Sequence, residues 1–181
     1  MALSATIYRF TVSLSDVDRG VYETLSLKVA RHPSEADEYM VARLLAYCLE
    51  YTEGIAFSRG GLSDPDEPPI AVRDLTGMLR AWIEVGTPDA ARLHKAAKAA
   101  PRVAVYTHKD PAQLLRQLEG AKIHRADSLE LYALDRELVS GLAKRLERRV
   151  ELDLSVTDRS LYVTVGGETL SGELMDLRPA G

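Results

Sequence analysis

Cysteine is almost absent from this chain. Cys48 stands alone among 181 residues, which excludes an intramolecular disulfide. Its spacing from Leu44, Leu45 and Leu49 puts it on the apolar stripe of a helix, where it packs. Long hydrophobic runs are missing too: no stretch approaches the roughly 18 to 20 apolar residues that cross a bilayer. The N-terminus, MALSATIYRF, has no basic segment followed by an apolar one. No membrane partner is expected, and the cytoplasm is the default compartment. The chain also lacks a phosphate-binding glycine loop, a dinucleotide fingerprint and a nucleophile elbow. Kinase, Rossmann oxidoreductase and serine hydrolase readings are thereby set aside, and Gly166-Gly167 reads as a strand-end turn. His32, His94, His108 and His124 show no paired ligand spacing, so zinc is not expected.

With 46% hydrophobic and 28% charged residues, the length suits one folded domain spanning 1–181 with a full core. The net charge of -4 argues against a general nucleic-acid coat but leaves room for one basic face. Tyr8, Phe10, Val12 and Leu14 alternate with polar residues, and Val21, Leu25, Leu27 and Val29 keep that period, which predicts an opening β-hairpin. Ser34, with Asp37 three residues on, reads as the N-cap of a helix over 35–51 that Gly54 stops.

Short strands are predicted at 55–58, 70–73 and 79–85, the last two joined by Asp74-Leu75-Thr76-Gly77 as a turn or bulge. Arg59-Gly60-Gly61 and the acidic, proline-rich 64–69 form an exposed loop. Asp89 opens an alanine-rich helix to about Ala100, before a strand over 102–106. From Glu35 the order is αβββαβ. Beyond it come a helix over 111–118, a strand over 129–134, a helix over 135–147, and strands over 150–156, 161–165 and 168–177. The fold class is α/β, with a mixed α+β sheet.

Glu84 shares one strand face with Arg80 and Trp82, inside an otherwise apolar strand. A buried carboxylate is costly unless a cation, a metal or strong hydrogen bonds compensate it. Two readings fit. A divalent ion could be shared with Asp74, ten residues upstream, if the hairpin brings the carboxylates side by side; magnesium, which accepts one or two carboxylates plus waters and phosphates, would suit phosphodiester hydrolysis. Alternatively Glu84 pairs with Arg80 or with a helix arginine such as Arg92, while Asp74 orders its turn. Arg92, Lys95, Lys98 and Arg102 outnumber Asp89 in 89–102, a basic run able to track a phosphate backbone or simply to face solvent. Trp82 is read as a packing residue.

Several segments together resemble the YaeQ family of bacterial proteins: ATIYRFTV at the start, RHPSE at 31–35, FSRG at 57–60, DEP at 66–68, then DLTG and WIEVGTPD. They extend over about the first 110 residues in one order, and the C-terminal third resembles the family loosely. The resemblance implies a fold similar to the PD-(D/E)XK restriction-endonuclease class, with the αβββαβ order as its core after an N-terminal hairpin and before further α and β elements. It implies a magnesium-dependent nuclease, manganese substituting, in which Asp74 and Glu84 hold the metal. Glu35 or Glu38 would add a carboxylate, although acids in a helix's first turn are equally explained by the helix dipole. Pro65-Asp66 spells the PD letters but lies in an irregular loop, so Asp74 is preferred. The lysine expected two residues after Glu84 is Gly86, leaving Lys95 on the next helix as its stand-in, and Met78 follows DLTG where the family often has an acid. These departures support a second reading: a catalytically degenerate nuclease-fold domain that binds nucleic acid or a protein partner in transcription or repair.

Overall fold

The computed structural model describes residues 4–59 and 66–178. The chain divides into two compact units, one comprising 1–41 and 134–175, the other 42–133 and 176–181. Among the described residues there are two mixed sheets and four α-helices. None of these helices is long and apolar enough to cross a membrane.

The first unit is built on the opening hairpin. β1 (Thr6–Asp16) and β2 (Val21–Arg31) pair antiparallel without a register break, from Thr6 opposite Arg31 to Asp16 opposite Val21. The period-two pattern drives this, because alternate residues Phe10, Val12, Leu14, Leu25 and Val29 are buried while their neighbours face water. The same sheet takes in three later strands, numbered here in chain order as β8 (Arg149–Thr157), β9 (Ser160–Val165) and β10 (Glu168–Glu173), giving the order β10-β9-β8-β1-β2. β8 lies parallel to β1, and the rest pair antiparallel. The β8–β9 hairpin turns through Asp158 and Arg159, both at positive φ. Helix α4 (Arg136–Ala143), capped by Asp135, covers β10 closely enough that a Cβ on Gly172 would lie 2.5 Å from that of Asp135.

The second unit holds the αβββαβ order, and its strands form the sheet β11-β7-β6-β5-β4-β3. β3 (Ile55–Phe57), β4 (Ile70–Arg73) and β5 (Leu79–Val85) pair antiparallel. β6 (Arg102–Thr107) and β7 (Glu130–Ala133) then add in parallel, and β11 (Met175–Asp176) ends the sheet beside β7. One face, carrying Trp82, Val103, Val105 and Leu131, packs against α2 (Ala90–Ala99) and α3 (Pro111–Leu118) through Leu93, Ala96, Ala97 and Leu114. The other meets the later turns of α1 (Asp37–Leu49), where Tyr47 stacks on Phe57 with ring centroids 4.5 Å apart.

Three expected boundaries move. α1 starts at Asp37 and ends at Leu49, and Ser34 is not its cap: the Ser34 hydroxyl is 2.7 Å from His32 Nδ1, and a turn closed by the Glu35 N–H on the His32 carbonyl occupies the residues before the helix. α4 stops at Ala143 rather than Glu147, because Arg145 and Leu146 donate to carbonyls three residues back and tighten its end. The stretch 168–177 splits between the two sheets. Of the loop expected over 59–61 and 64–69, residues 60–65 lie outside the described residues, and Pro68 and Pro69 are buried rather than exposed, because they lead directly into β4.

Gly54 lies five residues past the end of α1, so it does not stop the helix as expected; it sets the approach of the chain entering β3 to Arg73 at the end of β4. Its φ is +90°, its carbonyl accepts the Arg73 N–H at 3.0 Å, and an added Cβ would fall 2.0 Å from the Arg73 carbonyl oxygen. Gly54→Ala is therefore expected to cost about 2 kcal/mol or more, against roughly 1 kcal/mol for Gly20→Ala, whose Cβ meets no atom within 4 Å. Urea denaturation of the two variants checks the ranking.

Candidate functional site

Strand alternation turns Glu84 toward the face covered by α2, and there it is only 3% exposed. Two donors converge on one of its oxygens: Trp82 Nε1 and Arg92 Nε each reach Oε2 at 2.8 Å. Trp82 stands two residues before Glu84 on β5, hence on the same face, and Arg92 lies in the first turn of α2. The Arg92 guanidinium also sits 5.5 Å from the Trp82 ring centroid and donates through Nη2 to the Glu67 carbonyl at 3.0 Å. One cation thus ties a strand, a helix and the segment entering β4. Burial pushes the Glu84 carboxyl above the usual glutamate range, opposed by the Trp82 hydrogen bond and by Arg92.

The neighbouring charges are also paired. Lys95, one turn beyond Arg92 on α2, forms an ion pair with Asp66. The Ser58 hydroxyl donates to Glu67 Oε2 at 2.8 Å, and the Ser58 N–H donates to the Pro69 carbonyl, which carries the β3–β4 ladder one step further. Ser58 and Glu67 belong to the FSRG and DEP landmarks, so two segments separated by a loop meet beside Glu84. Neither residue stood out by its own chemistry; the landmarks were the available signal.

Asp74 lies elsewhere. Arg73 pairs with Leu79 across a register shift, so the two carboxylates are not side by side. Glu84 is five positions past Leu79, roughly 16 Å along the strand, at the opposite end of the hairpin. The Asp74 Oδ1 accepts the Thr76 N–H at 2.9 Å, the Thr76 hydroxyl at 2.6 Å and the Met78 N–H at 3.0 Å. The Thr76 hydroxyl above all holds this surface carboxyl below the usual aspartate range. Asp74 orders its turn.

Glu35 and Glu38 belong to the first unit. Glu35 is buried and its Oε1 accepts the His32 N–H at 3.3 Å, while Glu38 is exposed on the first turn of α1. Among the described residues, no group of three or more His, Cys, Asp and Glu is arranged to hold a metal ion. The structure does not bring Asp74 and Glu84, the two carboxylates expected to share a magnesium or manganese ion, side by side, and the cation on Glu84 is Arg92.

Three of the four cations in 89–102 are likewise paired inside the unit, while Lys98 is exposed and makes no ion pair among the described residues. Besides Arg92 and Lys95, Arg102 donates to Glu50 Oε2 and Oε1 at 2.8 and 2.9 Å and to Glu130 Oε2 at 2.6 Å. Tyr106 and Tyr132 complete this network, their hydroxyls each 2.7 Å from Glu50 Oε1 and Glu130 Oε1. Burial and the nearby carboxylates push the Tyr132 phenol up to about 12 and the Tyr106 phenol well above its ordinary value. Neither is placed to exchange a proton near neutrality.

The family model described as YaeQ protein matches residues 1–174. This chain belongs to the YaeQ family. It is 36% identical over 165 residues to the YaeQ protein of Escherichia coli (strain K12), covering 91% of each chain, and 34% identical over 175 residues to that of Salmonella typhi, covering 96% of each. The crystal structure of YaeQ protein from Pseudomonas syringae superposes with a TM-score of 0.84 at 33% identity, covering 96% of both chains. That from Xanthomonas axonopodis pv. citri superposes at 0.87 and 31%, covering 97% of this chain and 99% of the other. These likenesses to bacterial YaeQ proteins show family and fold, and bring no activity with them.

Removing Arg92 would strand the Glu84 charge in the core. Arg92→Ala is expected to cost about 3 kcal/mol at neutral pH. Because the folded carboxyl titrates above its unfolded value, the folded state binds the extra proton in the window above the ordinary glutamate pKa, and stability falls as pH rises through it. Without Arg92 that window widens upward, so the variant should lose most against wild type at pH 8 and least near pH 5. Equal losses at both, in urea melts, would show that Arg92 does not neutralise Glu84.

Proposed function

We propose that this YaeQ protein is a nuclease-fold domain that binds nucleic acid without an assembled metal centre. The αβββαβ order and the resemblance to the PD-(D/E)XK class support the fold; the observation that carries the function is Arg92 seated on Glu84. A magnesium-dependent phosphodiesterase needs converging carboxylates open to an ion. Here the buried acid is neutralised by a guanidinium and an indole N–H, its intended partner Asp74 is engaged at the far end of the hairpin, and Gly86 replaces the expected lysine. Lys95, the stand-in, is held by Asp66.

Catalysis is the competing reading, and one feature favours it. Arg92 bridges Glu84 and the backbone of Glu67, so an ion displacing the guanidinium would find both acidic residues close by. Calorimetric titration of magnesium and manganese into wild type, Glu84→Gln and Asp74→Asn decides between them. The expected result is no ion uptake by any of the three, with oligonucleotide binding retained in a chelator. Ion binding by wild type that disappears in Glu84→Gln, with hydrolysis of an oligonucleotide, would overturn the proposal in favour of a nuclease.

A further inference from the structure

The sheet of the first unit packs one face inward and leaves the other in water. On that outer face β1 presents Arg9, Thr11, Ser13 and Ser15, β2 presents Tyr22, Thr24, Ser26 and Lys28, and β8 presents Arg149, Glu151 and Asp153, all exposed. The registers arrange them in rows. Arg149, Arg9 and Lys28 are direct cross-strand neighbours on three adjacent strands. None of the three makes an ion pair among the described residues. Like charges set directly opposite on a sheet repel and destabilise it, so this row costs the free protein stability that a bound anion would return.

The rows beyond are hydroxyl-rich and end in aromatic rings. Tyr22 and Tyr162, 61% and 45% exposed, lie in one row across the sheet, separated by Ser15 and Ser155. That row is six residues from Arg9, roughly 20 Å along the strand. Glu151 and Asp153 interrupt the path on β8. The path over the β1–β2 hairpin carries no acid on this face: it passes Arg9 and Lys28, then Thr11 and Ser26, Ser13 and Thr24, and reaches Tyr22 beside Ser15.

The geometry points to a single-stranded nucleic acid laid along the outer face of the β1–β2 hairpin, its phosphates on the Arg149–Arg9–Lys28 row and a base stacked on Tyr22. This rests on the nucleic-acid reading above and adds the strand class and the surface. A single strand fits where a duplex does not. An open sheet with aromatic rings can stack unpaired bases, and hydroxyls contact backbone and base edges without demanding a sequence, whereas duplex bases are already stacked on one another. A protein of net charge -4 can hold such a strand because the cations are gathered in one row.

Fluorescence anisotropy with a labelled single-stranded oligonucleotide, the same sequence as a duplex, and inorganic polyphosphate as competitor tests it on the full chain. Wild type should prefer the single strand. The triple variant Arg9→Gln, Lys28→Gln, Arg149→Gln should flatten the slope of log affinity against log salt by about 2. Tyr22→Ala should weaken binding about tenfold at unchanged salt slope. The exposed control Lys122→Gln should bind as wild type, and the triple variant should melt no lower than wild type because repulsion is relieved. Binding by wild type that neither variant disturbs would overturn the surface while leaving the nucleic-acid reading intact. Preference for duplex, or full displacement by polyphosphate at equal charge, would overturn the strand class. No binding of any nucleic acid by wild type would overturn both.

Discussion

A single carboxylate in the core constrains much of the second unit. Glu84 sits on the apolar face of the central strand, where an isolated charge costs several kcal/mol. The compensation comes from three places in the chain: the indole two residues earlier, the first turn of α2, and through Arg92 the segment before β4. Held by Glu84 and by the Glu67 carbonyl, Arg92 fastens the first turn of α2 to the sheet. Leu93, Ala96 and Ala97 are then packed on Trp82 and Val103. The same cation fixes the entry of the hairpin whose far end Asp74 closes. Architecture and electrostatic neutrality are one arrangement here, because the cation that compensates the buried acid is carried by the helix that covers it.

The opposite face of that sheet solves a similar problem with different chemistry. Arg102 is shared by Glu50 and Glu130, and a tyrosine hydroxyl adds a third donor to each carboxylate. Such networks are stable only when every member is satisfied. Arg92, Lys95 and Arg102, which looked available for phosphate in the linear chain, are thus used to neutralise acids brought in from up to 52 residues away. The first unit has no comparable demand on its outer sheet face, and cations remain unpaired there. Charge available to a partner is decided by which carboxylates the fold brings near, and a count of lysines and arginines does not reveal it.

Elements with strong local signals were legible from the residues. The alternation of Phe10, Val12 and Leu14 with polar residues, Asp89 at the start of its helix, and the turn residues at 74–77 placed strands and helices within a residue or two. Where local chemistry competed, the reading slipped: Ser34 has the identity of a cap, yet its hydroxyl finds the His32 ring first. At the site, Glu84 was legible because an acid in an apolar strand requires a partner. Its separation from Asp74 was not, because ten residues around a hairpin place two groups side by side or at opposite ends depending on where the turn falls.

The chain by itself therefore determined its family, its order of elements and the presence of one anomalous buried acid, since these depend on residue identity and on periods of two and 3.6. Tertiary structure alone decided that Arg92 pairs with that acid and that Asp74 serves its own turn. It alone also decided that Arg149, Arg9 and Lys28 form a row. Each of these depends on the register and pairing of strands distant in sequence, which local residue patterns do not specify.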